Sequence, residues 1–235
     1  MRVSVIIPVW NEARTLDGTL LALRARWPEA EIICADGGSS DGTAALAQAR
    51  TTRVVTSQRG RGVQLHAGAT AAQGDVFWFL HADTVPACDA FDQIDRALAD
   101  PGVVGGNFRL HFSGNSRAAR FMSSLYPRLA WLGLRYGDSG IFARRETYLT
   151  AGGFAPLPLF EDLDFLRRLR RLGRLVTLPG PLVTSSRRFE GRAFLPVFLR
   201  WSWLQVLYWG GCDPRRLGRR YHPEAGPSAP DRLSS

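Results

Sequence analysis

Apolar residues in the first hundred positions fall into short runs that alternate with longer periodic segments. Val3 to Val9 is a nearly continuous, largely β-branched run, which is typical of a strand buried on both faces of a parallel sheet. The following segment repeats its large side chains every three or four positions and ends at a proline, which predicts an amphipathic helix: Leu16, Leu20, Leu23 and Trp27, then Pro28.

Further strands are predicted at 31–35, 53–56 and 76–80, each separated from the next by a helical segment. Such alternation predicts an α/β fold, a doubly wound and mostly parallel sheet flanked by helices. Ligands of these sheets bind at the carboxyl ends of the strands. Each predicted strand is followed by polar residues, so we expect four polar loops to face one crevice.

The second half of the chain has a mixed pattern. A strand is predicted from Gly105 to Phe112, followed by a helix around 117–131. Four leucines spaced by three mark another helix that we expect to end at Gly173: Leu163, Leu166, Leu169 and Leu172. The segment 194–209 is aromatic-rich but too short and polar to span a bilayer, which leaves a packed core helix or an interfacial anchor.

Composition narrows the class of protein only slightly. The chain has 235 residues and a net charge of +9, with arginine as its only cationic residue besides histidine, which suits phosphate-bearing ligands or an anionic membrane surface. Its three cysteines are widely spaced and predict neither disulfides nor a metal knuckle. The first residues begin a strand and do not resemble a signal peptide, so we expect a cytoplasmic protein.

Three of the polar segments have a chemical interpretation of their own. Asp36 lies at a strand end, where its carboxylate can accept a hydrogen bond from a ligand, and the glycines after it allow the backbone to approach that ligand closely. A turn that only caps a helix has the same composition. Arg59 and Arg61 stand at a helix start, where a diphosphate would bind, unless the loop is simply basic and exposed. Asp83 follows an apolar strand and is expected in the crevice, where Mg²⁺ or Mn²⁺ could bridge it to phosphates, although a lone aspartate after a strand is also typical of a helix cap.

The order and spacing of these segments resemble the family 2 glycosyltransferases of the GT-A type over roughly residues 2 to 190. The resemblance is greatest to a small bacterial branch with FLHADT, GDSGIF and FEDLDF motifs, found here at 79–84, 137–142 and 160–165. It implies a single GT-A-like domain in which Pro8, Asn11, Glu12 and Asp36 line a nucleobase and ribose pocket. It also implies that Asp83 binds a divalent metal, with His81 in place of the first aspartate of the family's metal motif.

The resemblance further implies a catalytic pair at the start of a helix, Asp162 as general base and Glu161 as its support. Acids in a first helical turn also suit the helix dipole without any catalytic role. Asp138 would hold a hydroxyl of donor or acceptor, and Arg188 would reach the pyrophosphate. With one base and no evident protein nucleophile, inversion at the anomeric carbon is expected.

The interpretation of the whole chain is therefore a glycosyltransferase with a donor half at 1–104, a catalytic half at 105–190, a basic helical extension at 191–222 and a disordered tail. Its expected partners are a nucleotide sugar, with UDP as the expected nucleotide, and a hydroxyl acceptor, either lipid-linked or glycan. A membrane surface is a further candidate partner, and nucleic acid is disfavoured. A nucleotidyltransferase or a silent sugar-nucleotide-binding module is the alternative.

Overall fold

The computed structural model describes residues 1–112, 137–184 and 194–220, together with 120, 123 and 124. Its strands are β1 Val3–Val9, β2 Glu31–Asp36, β3 Arg53–Thr56, β4 Val76–Phe79, β5 Thr84–Pro86, β6 Val103–Phe112, β7 Phe142–Arg144 and β8 Arg174–Thr184. Its helices are α1 Ala13–Arg26, α2 Thr43–Arg50, α3 Arg61–Ala71, α4 Ala90–Leu98, α5 Arg145–Thr150, α6 Glu161–Leu169, α7 Phe194–Trp209 and α8 Pro214–Arg220.

The strands form one sheet in the order β3-β2-β1-β4-β7-β6-β8-β5. The first four in that order are parallel, with Val9 of β1 opposite Asp36 of β2 and Val3 opposite Val76 of β4. Beyond β4 the sheet is mixed, because β7 runs antiparallel to both of its neighbours while β6 and β8 are parallel. The expected α/β class with a mostly parallel sheet and flanking helices is confirmed.

Hydrophobic burial explains why the sheet is covered on both faces. In β1, alternate residues point into two separate cores, Ile7 into one and Ile6 into the other. The first core packs leucines of α1 and residues of α4 against Trp78, and the second packs α3 and Phe165 of α6 against Phe79. Helices α1 and α4 therefore cover one face of the sheet, and α3 and α6 cover the other.

Three details of the sequence interpretation are changed or left open by the structure. Helix α6 ends at Leu169, so Leu172 and Gly173 lie beyond the helix rather than at its end. The predicted helix at 117–131 falls almost entirely outside the described residues, as do Arg188 and the tail from 223. Among the helices that are described, none is long and apolar enough to cross a membrane.

Candidate functional site

The carboxyl ends of β1, β2 and β4 meet at one edge of the sheet. The Gly37 N–H donates to the Val9 carbonyl (3.0 Å), and the Leu80 N–H donates to the Ile6 carbonyl (3.0 Å). The loops that follow these strands must therefore leave the sheet side by side. The candidate residues Asn11, Asp36 and Asp83 all lie at this edge, at the end of a strand or in the loop after it.

The loops after β1 and β2 are joined by reciprocal hydrogen bonds. Asn11 has a left-handed backbone (φ 52°), its N–H donates to Ser39 Oγ (3.0 Å), and its Oδ1 accepts from the Ser40 N–H (2.9 Å). Asparagine tolerates this conformation better than most residues. The Glu12 N–H donates to Thr43 Oγ1 (2.9 Å). The two loops are thus held in one fixed arrangement.

Asp36 is buried and shapes its own turn. Its carboxylate accepts from the backbone N–H groups of Gly38 (3.1 Å) and Ser39 (3.1 Å) and from the Ser39 hydroxyl. Asp41, not Asp36, serves the helix start, since it accepts from the N–H of Thr43 (3.0 Å) at the first residue of α2. Asp36 therefore stands where the sequence predicts it, within an Asx-type turn at the strand end.

Gln64 is a residue that the sequence interpretation missed. It is buried on α3, and its Nε2 donates to the carbonyls of Val9 (2.8 Å) and Ala35 (2.9 Å) while its Oε1 accepts from the Gly60 N–H (3.3 Å). One side chain thereby ties the ends of two strands to the loop that begins α3. The available signal was a polar residue on the apolar face of a predicted helix, next to Leu65.

Arg59 and Arg61 point to different neighbours although they are two residues apart. The guanidinium of Arg59 is exposed and lies over the ring of Trp10, 3.4 Å from its centroid. Arg61 reaches the carboxylates at the start of α6, with Nη1 3.2 Å from Glu161 Oε1 and Nη2 3.7 Å from Asp162 Oδ2. Both arginines lie beside the crevice, and only Arg61 contacts the acidic pair.

The start of α3 lies directly against the segment that leads into α6. A Cβ atom added to Gly62 would lie 2.4 Å from the Ala155 carbonyl oxygen and 3.2 Å from Glu161 Cβ. Only glycine permits this distance between the two backbones. The same contact brings the Arg61 and Glu161 side chains within reach of each other.

The acidic pair at the start of α6 is buried. Burial raises the pKa of Glu161, the nearby Arg61 opposes this, and the Asp162 carboxylate adds to it. Asp162 Oδ1 accepts from the N–H of Leu163 (2.7 Å) in its own helix. Phe160, just before the pair, has a left-handed backbone (φ 61°), so the chain enters α6 through a sharp turn.

His81 and Asp83 belong to a tight turn after β4. The Thr84 N–H donates to the His81 carbonyl (3.2 Å), the Ala82 carbonyl accepts from buried Thr19 (2.7 Å), and Thr184 Oγ1 lies 3.5 Å from Asp83 Oδ1. Both side chains are half-buried. The turn is thus anchored on two sides, to α1 and to β8.

This turn could bind Mg²⁺ or Mn²⁺ only if phosphates and water supplied most of the metal's ligands. Within 1–112, 137–184 and 194–220 no three His, Cys, Asp or Glu side chains converge into a complete cage. Magnesium commonly binds through one or two carboxylates and completes its shell with substrate phosphates and water. The single carboxylate of Asp83 fits that pattern, and His81 is a further metal-ligating residue type on the same turn.

The remaining predicted residues have varied positions. Pro8 is half-buried in β1 opposite Ala35. Asp138 lies in a short 3₁₀ turn, Gly137–Ser139, whose next residue, Gly140, accepts at its carbonyl from Trp78 Nε1 (3.2 Å). This turn consequently lies beside the end of β4. Arg188 is outside the described residues.

Comparison with known proteins identifies the family of the region that carries β1 to β7 and the loops at the carboxyl ends of the parallel strands. The sequence profile of glycosyl transferase family 2 matches residues 4–154. The chain belongs to that family.

Two curated relatives match at moderate identity. Glycosyltransferase AglE of Haloferax volcanii is 30% identical over 134 residues, which is 52% of this chain and 44% of that protein. An uncharacterized glycosyltransferase of Nostoc, alr2836, is 29% identical over 139 residues, 55% of this chain and 43% of its own length. The matched region therefore spans less than half of either relative.

Solved structures share the fold at lower identity. Glucosyl-3-phosphoglycerate synthase of Mycobacterium tuberculosis, in complex with Mn²⁺, UDP and phosphoglyceric acid, superposes with a TM-score of 0.57 at 23% identity over 76% of this chain and 68% of that one. Mannosyltransferase PcManGT of Pyrobaculum calidifontis, with GDP-Man and Mn²⁺, gives 0.59 at 23% identity over 77% and 56%. These neighbours are GT-A glycosyltransferases, which agrees with the expected fold.

Proposed function

We propose that this chain transfers a sugar from a nucleotide-sugar donor, with UDP as the nucleotide, to an acceptor hydroxyl with inversion at the anomeric carbon. The observation that carries the proposal is the contact of Arg61 with Glu161 and Asp162. In this contact the carboxylate pair lies against the start of α3, which follows the parallel strand β3, and ligands of such sheets bind at the carboxyl ends of the strands.

In this proposal the nucleoside occupies the loops after β1 and β2. Asn11, Glu12 and Asp36 lie on loops that are cross-linked by hydrogen bonds, so little ordering remains to be done when a ligand binds. Pro8 is the last residue but one of the strand that precedes the first of these loops. Support for a uridine donor comes from the UDP complex of the mycobacterial neighbour, whereas the Pyrobaculum neighbour is a complex with GDP-Man.

The diphosphate then lies toward Arg59 and the turn that carries Asp83. Arg59 is exposed and can leave the Trp10 ring for a phosphate oxygen, which binds guanidinium in a bidentate manner. Asp83 and His81 would hold the divalent metal, which when bound would neutralise charge on the departing diphosphate. Asp138, beside the end of β4, would hold a sugar hydroxyl.

Asp162 acts as the general base in this proposal. Its carboxylate removes the proton of the acceptor hydroxyl as that oxygen attacks the anomeric carbon, and the carbon–oxygen bond to the diphosphate breaks. Arg61 Nη2 and the Leu163 N–H hold the Asp162 carboxylate in place, while Nη1 of the same guanidinium contacts Glu161. A single displacement by one base predicts inversion.

The test is a screen of nucleotide sugars followed by a transfer assay on the donors that bind. Ligands that bind the native state raise the apparent melting temperature by mass action, so a UDP-sugar with Mn²⁺ should give the largest shift. Turnover of that donor would support a transferase. Binding without any turnover or hydrolysis would instead favour a silent sugar-nucleotide-binding module.

A further inference from the structure

Helix α7 presents an exposed apolar stripe. Its four members and their exposed fractions are Leu199 (57%), Trp203 (63%), Val206 (52%) and Trp209 (57%). They recur every three or four residues and therefore share one side of the helix. The other strongly exposed large apolar side chains of the described residues are scattered over separate elements, as Leu21, Val85 and Leu149 are.

The opposite side of α7 is packed against the protein. Leu204 and Gln205 are buried, and the ring of Tyr208 stacks on Phe160 with centroids 4.8 Å apart. Of the two interpretations that the sequence left open, a packed core helix describes this side of α7 and does not describe the exposed stripe. The exposed stripe has a fixed direction, set by the packed side.

The segment of chain that carries the stripe is basic. Residues 194–220 contain five arginines and one acidic residue, Asp213. Arg200 on α7 and both Arg215 and Arg216 on α8 are exposed. This distribution is complementary to an anionic surface and adds to the net charge of +9.

We propose that α7 docks this protein onto the surface of a bilayer containing anionic lipids. Tryptophan favours the interface between headgroups and acyl chains, and leucine and valine gain by leaving water there. Each exposed arginine near an anionic leaflet contributes further attraction. A second copy of this chain fits the stripe less well, because a symmetric dimer through it would bring both sets of arginines together.

Docking by this helix would also orient the candidate site. Phe160, which Tyr208 contacts, immediately precedes the acidic residues of α6. The bilayer surface would therefore lie across α7 from Phe160, at a distance of about 10 Å, one helix diameter. An acceptor carried by the membrane would come within about this distance of the start of α6.

The experiment is co-sedimentation of the full chain with vesicles made of equal parts phosphatidylglycerol and phosphatidylcholine. The double variant Trp203→Ser/Trp209→Ser should bind at least about tenfold more weakly, since both indole rings leave the interface. Leu149→Ser is the matched control, because Leu149 is 60% exposed on α5 and lies outside the stripe. Its vesicle binding should equal that of the wild type.

A second variant separates charge from apolar contact. Arg215→Gln/Arg216→Gln should weaken binding to these vesicles and lower its dependence on salt, because fewer charges meet the anionic surface. Circular dichroism establishes that each variant is folded. The proposal is overturned if the wild type does not sediment with the vesicles, or if the tryptophan variant sediments equally well. It is also overturned if light scattering shows a wild-type dimer that the tryptophan variant abolishes.

Discussion

Arg61 Nη1 lies 3.2 Å from Glu161 Oε1, which links the first residue of α3 to the first residue of α6. Two helix N-termini thus face each other, and each carries a partial positive charge. The carboxylates of Glu161 and Asp162 lie at the start of α6 and within 3.7 Å of the guanidinium. This positive charge offsets part of the cost of burying them, while burial still raises the pKa of Glu161.

Loss of Arg61 should destabilise the fold. In Arg61→Gln the buried carboxylates lose their cation, and we expect the free energy of unfolding to fall by about 1–3 kcal/mol, reduced from the fully buried case because Arg61 is partly exposed. Urea denaturation measures it. Arg59→Gln is the control, because Arg59 is exposed and should change stability little. Equal losses in both variants would contradict the assigned contact.

Glu161→Gln should change how stability depends on pH. Burial raises the pKa of Glu161, so the folded state favours its protonated form more than the unfolded chain does. The resulting contribution to stability is complete below the unfolded pKa, about 4.3 for glutamate, and is lost as pH rises through the raised folded pKa. The variant should therefore gain stability relative to the wild type as pH rises through that window. A difference independent of pH would contradict it.

Asp162→Asn should lower transfer on the order of 10²- to 10⁴-fold while donor binding persists, because the swap removes the proton acceptor and preserves shape. Single-turnover assays and donor affinity measure the two effects. Asp164 is a poor control, since it forms an ion pair with Arg168 (2.8 Å), and Arg168 also donates to the Gly153 carbonyl (2.7 Å). Asp92→Asn, in the exposed first turn of α4, is the better one. Equal activity in the two variants would remove Asp162 as base.

Asp83→Ala should abolish the gain in UDP affinity that Mn²⁺ produces, because the proposed metal site would lose its carboxylate. Calorimetric titration of UDP with and without Mn²⁺ measures this. Asp92→Ala should keep the full metal effect. An unchanged metal effect in the Asp83 variant would exclude this carboxylate from the site.

Gln64→Leu should reduce both stability and donor affinity. The change leaves the Val9 and Ala35 carbonyls without their buried donor, at about 1–3 kcal/mol. The loops after β1 and β2 should then loosen, which raises the KM for the donor more than it lowers kcat. Gln64→Glu keeps the shape but loses the N–H groups, so it should behave like the leucine variant. If it behaves like the wild type, the hydrogen bonds do not position the loops.

The pattern of β1, β2 and β4 was readable because both faces of those strands are buried, so their apolar runs are continuous. The antiparallel pairing of β7 could not be predicted from the sequence. A strand of three residues, Phe142–Arg144, is too short to show a pattern, and its direction depends on partners that are distant in sequence. Likewise, the spacing of Glu161 and Asp162 on a helix start was visible. Their partner Arg61 lies a hundred residues earlier and was assigned from its local sequence to a phosphate.

The role of Gln64 also could not be predicted from the sequence. Its position on an apolar helix face gives no sign of a function, and its burial is explained only by its hydrogen bonds to the Val9 and Ala35 carbonyls. Side chains that satisfy backbone groups of other elements leave no periodic signal.

Gly62 lies where the start of α3 comes closest to the chain that enters α6. Where no methyl group fits between two backbones, a larger side chain must push them apart. Any side chain at position 62 would therefore displace the arginine-bearing start of α3 from the acidic pair. The absence of a side chain at this one position thus sets the distance between the proposed donor loops and the proposed base.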